Sequence, residues 1–319
     1  MKTKSVLRAQ LLLLLAISQD ISGLAQAPYA NSHYMGIDGL RIHYQHELPQ
    51  QSARKGRVLL LHGFACSSYS WRKILPTLSA AGYEVLAVDM PPFGYSSRPR
   101  RHNLSFSAQA DLLWRLLDSL SGGSGEGWHL IGHSMGAATV GAMAAARPER
   151  TRSVVYVDGI VFDSGKGTLH HLRWLMRPKP ITWAVSLAGQ WIVISRKRVK
   201  HVLNRAYGYP AEKADVAAFL GPLRQRGTAR GVIDMFAYAY PTFAYTTDSI
   251  RSPGLIIWGE RDLIPLREAR ALQNKLLGVD LVTIPEAAHC PMETHSEAFN
   301  AILTGFLDQF SSNMPSESK

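Results

Sequence analysis

Apolar runs and amphipathic stretches alternate along the chain, and this alternation predicts a layered α/β fold. Six runs are almost continuously apolar, whereas stretches between them, such as Ser107 to Leu120, repeat apolar residues at helical spacing. The predicted strands are RVLLLHGF, YEVLAVDM, WHLIGHS, RSVVYVDG, PGLIIWGE and VDLVTIPE. Before them, residues 32–48 form a predicted hairpin around the turn dipeptide Asp38-Gly39. The pattern is typical of a mostly parallel sheet covered by helices on both faces.

The alternation is interrupted once, between Val161 and Tyr245. Helical patterns fill this insertion, around residues 168–177, 181–195, 196–206, 210–220 and 229–240. We therefore interpret residues 162–245 as a helical cap inserted between two strands. It is expected to lie over the carboxyl ends of the strands, where ligands bind in open α/β sheets. The core is then formed by residues 26–161 and 246–312, and residues 313–319 are predicted to be a disordered tail.

The first 25 residues have the order of regions that is typical of a secretory signal peptide. A basic start, MKTKSVLR, is followed by the apolar block LLLLLAI and then by polar and small residues. Gly23 and Ala25 suit the −3 and −1 positions, which predicts cleavage after Ala25 and a periplasmic or secreted protein. A frayed amphipathic helix or a short uncleaved anchor is the alternative. No stretch reaches the roughly 18 apolar residues that a membrane span needs.

Ser134 lies in the sequence Gly132-His133-Ser134-Met135-Gly136, between a predicted strand and a predicted helix. Glycines on both sides permit a sharp turn that exposes the serine hydroxyl, and the following helix offers unpaired N–H groups. The alternative is that small residues merely pack a strand against a helix, which would require no catalytic partners. A serine nucleophile requires a base and an orienting carboxylate.

Such partners follow later in the chain. WGERDLIP places Asp262 just after a predicted strand, and PEAAHCPME places His289 after the last one. In motif and order, Ser134, Asp262 and His289 resemble the α/β-hydrolase superfamily, specifically its capped serine esterase and lipase-like branch. The resemblance implies that Ser134 is the nucleophile, His289 the general base and acid, and Asp262 the orienting carboxylate. It also implies hydrolysis of a small-molecule or lipid ester through an acyl-enzyme, with no cofactor.

Two further segments carry the same resemblance. LLLHGF is similar to the family's oxyanion loop, which maps the oxyanion donors onto the backbone N–H groups of Phe64 and Met135. VDMPPFGYSSRP is similar to a glycine-containing turn of the family, although Pro92 replaces the first glycine. Ala288 and Ala137 also stand where the family often has glycine. These departures leave the three catalytic residue types in place.

Several alternatives stay open. Asp158 also follows a predicted strand, at a position where some relatives carry the triad acid. The serine could instead act on amide, thioester or carbon–carbon bonds, or transfer the acyl group to an alcohol. A non-catalytic lipid-binding member is a third class. Serine rather than aspartate at position 134 argues against dehalogenase and epoxide hydrolase chemistry.

Other polar residues near these motifs are interpreted as structural. His62 is expected to hold the oxyanion loop, His133 to point away from the nucleophile and pack, and Asp89 to support a loop. The remaining histidines show no spacing typical of metal ligands, so no metal is predicted. Cys66 and Cys290 are expected near the mouth of the site, as separate reduced thiols rather than a disulfide.

The chain is basic, with a formal net charge of +11. Residues 164–230 contain 13 Lys and Arg but only Glu212 and Asp215 as acids, so the excess lies in the predicted cap. The same region contains three tryptophans, Trp174, Trp183 and Trp191. This composition suits peripheral contact with an anionic membrane, although a solvated helical face is the alternative. No nucleic-acid recognition motif accompanies the basic run at residues 195–200, so no nucleic-acid partner is expected.

Overall fold

The structure, a computed structural model, describes residues 27–51, 53–100, 102–123, 125–159, 194–238 and 247–311. The predicted signal peptide, the cap helices predicted before residue 194 and the predicted tail lie outside these ranges. In the part of the chain that is described, no helix is both long and apolar enough to cross a membrane.

Eight strands form one sheet, in the order β1-β2-β4-β3-β5-β6-β7-β8. Their bounds are β1 Ser32–Ile37, β2 Leu40–Glu47, β3 Gly56–Leu61, β4 Tyr83–Val88, β5 Trp128–His133, β6 Thr151–Val157, β7 Gly254–Gly259 and β8 Val279–Ile284. The pairs β1·β2 and β2·β4 are antiparallel, and the other pairs are parallel. The predicted mostly parallel sheet is confirmed. Its first hairpin turns at Asp38 and Gly39, which both have positive φ angles.

Nine helices accompany the sheet among the described residues. Their bounds are α1 Leu75–Ala80, α2 Phe106–Ser121, α3 Met135–Ala146, α4 Arg196–Tyr207, α5 Lys213–Leu223, α6 Thr228–Tyr238, α7 Leu266–Lys275, α8 Pro291–Thr294 and α9 Ser296–Asp308. The pattern through Trp71 and Leu78 predicts one helix, but the structure has a 3₁₀ turn at Ser68–Trp71 and a separate α1. Pro76 explains the break, because proline is tolerated in the first turn of a helix but not in its interior.

The core lies on both faces of the sheet, as expected for buried parallel strands. On β3, Leu59 and Leu61 pack in a cluster with Trp114 of α2, whereas Val58 and Leu60 pack in a second cluster with residues of α1 and α9. The second cluster also contains buried residues of the cap helices α4 and α5. The described part of the cap is thus packed against the core.

A buried polar network joins these cap helices to the core. Arg72 donates to Glu293 of α8 over 2.5 Å and to Asp215 of α5 over 2.8 Å. The hydroxyl of Tyr207, at the end of α4, donates to the same Glu293 oxygen over 2.7 Å. Burial raises the pKa of Glu293, and the Arg72 charge and the Tyr207 hydrogen bond oppose that rise. Arg72 therefore helps to keep a buried carboxylate ionised.

Replacing Arg72 tests this network. Arg72→Met is expected to lower the free energy of unfolding at neutral pH by about 3–5 kcal/mol, because it leaves a buried carboxylate without its cation. Burial raises the pKa of Glu293 in the folded protein, and loss of Arg72 raises it further. The stability difference from the wild type should therefore shrink as the pH falls from neutral, and it should be smallest near pH ~4, where Glu293 is protonated in both folded proteins. Denaturant unfolding at several pH values measures the effect.

Arg115→Met is the matched control, because Arg115 pairs with Asp38 at an exposed site, with side chains 53% and 44% exposed. Exposed ion pairs contribute about 0–1 kcal/mol, so this variant should change stability little. Equal losses in both variants would contradict the assigned role of Arg72.

The six parallel strands β3, β4, β5, β6, β7 and β8 end at the same edge of the sheet. The residues that follow their carboxyl ends therefore gather there. They include His62, Ser134, Asp158, Asp262 and His289. Topology alone brings the predicted site residues to one place.

Candidate active site

Ser134 occupies a strained turn between β5 and α3, with φ 52° and ψ −115°. Positive φ is unfavourable for a non-glycine residue and needs support from its surroundings. The two flanking glycines are required by space, since a Cβ on Gly132 would lie 2.3 Å from the carbonyl oxygen of Gly136. A Cβ on Gly136 would lie 2.5 Å from the carbonyl oxygen of Leu61. The turn thus depends on the G-x-S-x-G pattern.

The structure brings the three predicted side chains together. The Ser134 hydroxyl lies 3.1 Å from Nε2 of His289, and Nδ1 of His289 lies 2.8 Å from Oδ1 of Asp262. Asp262 has a fully buried side chain, whereas His289 is 17% exposed. Because a carboxylate can only accept, Nδ1 carries the imidazole proton and Nε2 is left to accept the serine proton. This geometry suits proton transfer from the hydroxyl.

Both predicted oxyanion residues flank Ser134. Met135 is the first residue of α3, and its N–H is one of those that have no partner within the helix. On the other side, a Cβ on Gly63 would lie 3.1 Å from the Cβ of Ser134, so Phe64 begins directly beside the nucleophile. Two backbone donors near the serine could stabilise an oxyanion.

His62 is held by two backbone groups. Its Nδ1 donates to the carbonyl of Gly63 over 2.7 Å, and its Nε2 accepts the N–H of Met90 over 2.9 Å. Burial lowers the pKa of this imidazole. A neutral ring with its proton on Nδ1 satisfies both contacts, so His62 is placed to support the loop that leads to Phe64.

His133 has a contact that sequence reasoning missed. Its Nε2 donates to the main-chain carbonyl of His289 over 2.7 Å, and the two rings lie 4.9 Å apart. Burial and the nearby His289 lower the pKa of His133 well below its usual range. His133 therefore stabilises the backbone position of His289, the predicted base. No pattern in the sequence indicates this pairing of residues 156 positions apart.

Asp158, the alternative acid, is fully buried at the end of β6. Its Oδ1 accepts the N–H of Gly259 over 2.8 Å. The Nδ1 of His289 instead faces Asp262, 2.8 Å away. Burial and the charge of Asp262 raise the pKa of Asp158 well above its usual range. The geometry thus favours Asp262 as the partner of His289.

Both cysteines are free thiols, partly buried at Cys66 and buried at Cys290. Burial and the nearby Glu293 raise the pKa of Cys66 to about 12. The same causes raise the pKa of Cys290 well above the usual range. Since the thiolate is the reactive form, neither cysteine is poised as a nucleophile.

A second serine–histidine–aspartate chain lies elsewhere in the fold. His43 donates from Nδ1 to Asp89 over 2.7 Å, and its Nε2 lies 2.8 Å from the Ser32 hydroxyl. Ser32 opens a strand rather than a helix and also accepts the N–H of Tyr29 over 3.1 Å. Asp89 accepts two further backbone N–H groups, from Ser68 and Tyr95. These hydrogen bonds hold the loops around Asp89 together, which agrees with a structural role for Asp89.

Phe64, which directly follows the glycine beside Ser134, packs with two other aromatic side chains. Phe64 contacts Phe93 of the core and Phe236 of cap helix α6, with ring centroids 5.2 Å and 5.8 Å away. Met135 packs into the same apolar cluster. Phe64 is nevertheless 43% exposed, so part of this surface stays accessible. We call Phe64, Phe93 and Phe236 the aromatic wall.

No cluster of His, Cys, Asp or Glu suited to hold a metal ion occurs among the described residues.

Comparison with known proteins gives a family match over most of the chain. A model of the alpha/beta hydrolase fold matches residues 56–296. The 2-hydroxy-6-oxononadienedioate/2-hydroxy-6-oxononatrienedioate hydrolase of Paraburkholderia phymatum is 27% identical over 89% of this chain and 96% of the relative. The pimeloyl-[acyl-carrier protein] methyl ester esterase of Neisseria meningitidis serogroup A is 25% identical over 79% of this chain and 77% of the relative.

A crystal structure described as a membrane phospholipase A, a bacterial virulence factor, has a similar fold. It superposes with a TM-score of 0.68 and 21% identity, covering 96% of this chain and 99% of that one.

Proposed function

The chain belongs to the alpha/beta hydrolase fold family and is a hydrolase, and we propose that it cleaves carboxylic esters by serine catalysis through an acyl-enzyme. One observation carries the proposal: His289 accepts from Ser134 at 3.1 Å while it donates to Asp262 at 2.8 Å. A nucleophile, a base and an orienting acid in this relation are what acyl transfer requires.

In the proposed reaction, Ser134 attacks the ester carbonyl as His289 takes the hydroxyl proton. The N–H groups of Phe64 and Met135 stabilise the oxyanion that forms. His289 then gives its proton to the leaving alcohol, which leaves an acyl group on Ser134. Water, deprotonated by His289, attacks this acyl-enzyme, and the carboxylic acid departs as the serine hydroxyl is restored.

The aromatic wall supports an apolar group on the substrate. Phe64, whose backbone N–H is a predicted oxyanion donor, contacts Phe236 of the cap with ring centroids 5.8 Å apart. Burial of an acyl chain against such rings is favourable by about 25 cal/mol per Å² of apolar surface. The esterase name of the Neisseria relative further supports an ester as the substrate class.

A fluorophosphonate probe tests the proposal directly. Such a probe should label wild-type protein at Ser134, as located by peptide mapping, and a panel of p-nitrophenyl esters should be turned over with a preference for longer acyl chains. Labelling at another residue would contradict the proposal. So would a protein that hydrolyses matched amides or thioesters but not the esters. Adding an alcohol acceptor distinguishes transfer from hydrolysis, since transfer yields a new ester.

We further propose that the cap contacts anionic membrane surfaces through α4. Its residues Val199 and Leu203 are buried against the core, whereas its basic side chains are exposed. The exposed basic side chains are Arg196, Lys197, Arg198, Lys200 and Arg205. Val202, on the same helix, is 62% exposed. An exposed basic face with an apolar residue suits a lipid surface.

Vesicle sedimentation tests this contact. Binding should rise with the fraction of anionic lipid and weaken in 1 M salt, because each Lys or Arg near the surface contributes about 1 kcal/mol and salt screens it. Replacing the four basic residues Arg196, Lys197, Arg198 and Lys200 with glutamine together should remove most of the binding, while turnover of a small soluble ester barely changes.

The matched control replaces four exposed basic residues on and before α7 with glutamine. They are Arg261, Arg267, Arg270 and Lys275. This variant has the same net charge as the α4 variant and should retain vesicle binding. Equal losses in both variants would show that binding follows net charge alone, which would refute a specific role for α4.

A further inference from the structure

Two buried carboxyl groups, Asp158 and Asp262, lie near His289. Asp158 and Asp262 follow the neighbouring strands β6 and β7, and both contact Gly259. Oδ1 of Asp158 accepts the N–H of Gly259 over 2.8 Å, and the N–H of Asp262 donates to the carbonyl of Gly259 over 3.1 Å. Both side chains are fully buried. On each residue Oδ1 has a donor, whereas Oδ2 has none among the described residues. Two such oxygens left without donors are unfavourable in a buried site unless a proton lies between them.

The donors around each carboxyl indicate which of them holds the proton. Oδ1 of Asp262 accepts from Nδ1 of His289 over 2.8 Å and from the N–H of Ile264 over 3.0 Å. Among the described residues, Asp158 accepts only the N–H of Gly259, over 2.8 Å. Hydrogen bonds to the charged form stabilise it, so Asp262 is the better site for the negative charge. Two adjacent buried carboxyls tend to share one proton, because ionising both would bring two like charges together.

We propose that Asp158 is a positioning residue that stays protonated and donates a hydrogen bond to Oδ2 of Asp262. The pair then presents a single negative charge, and the second hydrogen bond keeps Oδ1 of Asp262 directed at His289. This inference rests on the proposed role of His289 as the base. It also explains why a second acid at this place does not compete with Asp262 for the imidazole.

The surroundings of Asp158 contain no cation that would favour its ionisation among the described residues. From the β7 loop it faces Asp262 and the N–H of Gly259. From the β8 loop it is near Cys290, a buried thiol whose own pKa is raised well above the usual range. His289 bonds to Asp262, and His133 is neutral because burial lowers its pKa. A protonated carboxyl is therefore the expected state.

Asp158→Asn and Asp158→Ala separate the proposed role from a charged one. The amide of asparagine keeps both an acceptor for Gly259 and a donor for Asp262. The kcat of Asp158→Asn should therefore stay within about threefold of the wild type, and the acidic limb of its pH profile of kcat/KM should stay close to that of the wild type. Alanine removes the donor, and kcat should fall about ten- to a hundredfold with little change in KM. The acidic limb of the alanine variant should move to higher pH. Without the hydrogen bond from Asp158, the negative charge of Asp262 stabilises protonated His289 more strongly.

An infrared readout is independent of turnover. A difference spectrum between wild type and Asp158→Asn at neutral pH should contain the carbonyl band of a protonated carboxylic acid. A carboxylate band instead, or asparagine as damaging as alanine, would overturn the proposal, and so would an alanine variant with wild-type kcat and pH profile. Absence of Ser134 labelling in the wild type would refute the proposed function, yet the spectrum would still decide the state of Asp158.

Discussion

Ser134→Ala is expected to lower kcat for a p-nitrophenyl ester on the order of 10⁶-fold while KM changes little. Alanine removes the atom that bonds to the acyl group, and the remaining oxyanion donors alone give weak catalysis. His289→Ala should cost about as much, since the hydroxyl at 3.1 Å then has no base. The two replacements combined should cost hardly more than either one, because the residues act as a unit.

Ser32→Ala is the control for this experiment. Ser32 also contacts a histidine that bonds to an aspartate, but it has no helix N-terminus behind it. Its replacement should leave ester turnover within about twofold. Steady-state kinetics together with circular dichroism checks both the rate and the fold. Activity that survives Ser134→Ala in a purified protein would refute the assignment of the nucleophile.

Asp262→Asn should lower kcat by about 10⁴-fold. The asparagine amide would donate to Nδ1 of His289 or leave it unpaired, which favours the tautomer with its proton on Nε2. That nitrogen could then no longer accept from Ser134. The rate of fluorophosphonate labelling measures the same loss without a chosen substrate. Because the replaced side chain is fully buried, a thermal unfolding curve is needed to verify that the variant is folded.

The size of this loss relative to Asp158→Asn is decisive. The structure pairs His289 with Asp262, so the replacement at 262 should be far more damaging than the replacement at 158. The reverse order would assign the acid to β6. Comparable losses would contradict a protonated Asp158, because asparagine reproduces the hydrogen bonds of the neutral acid.

The sequence was sufficient to predict the sheet and the placement of the site because both depend on local signals. Apolar runs mark the parallel strands, and Asp38-Gly39 permits the positive φ angles of the first hairpin. Residues that follow parallel strands share one edge, so the motif order Ser134, Asp262, His289 was enough to expect them together. The strained φ of Ser134 follows from the same motif, because both flanking glycines have no room for a Cβ.

The remaining features depend on contacts between distant segments. The hydrogen bond from His133 to the carbonyl of His289 and the approach of Asp158 to Asp262 join loops from different strands. The aromatic wall requires α6 of the cap to reach Phe64, and no periodicity specifies where a cap helix docks. Composition showed that the cap is basic, but it could not show that Arg72 of the core pairs with Asp215 of α5.

The hydrogen bonds that join the cap to the core through Glu293 limit how the cap could be exchanged with that of a relative. Glu293 lies four residues after His289 in the chain, and its hydrogen-bond donors come from the core at Arg72 and from the cap at Tyr207. A chimaera that takes a foreign cap would lose the tyrosine but keep the acid. Its crossover points should therefore be chosen so that α4 and α8 are inherited from the same parent, or Glu293 should be exchanged for glutamine in the recipient.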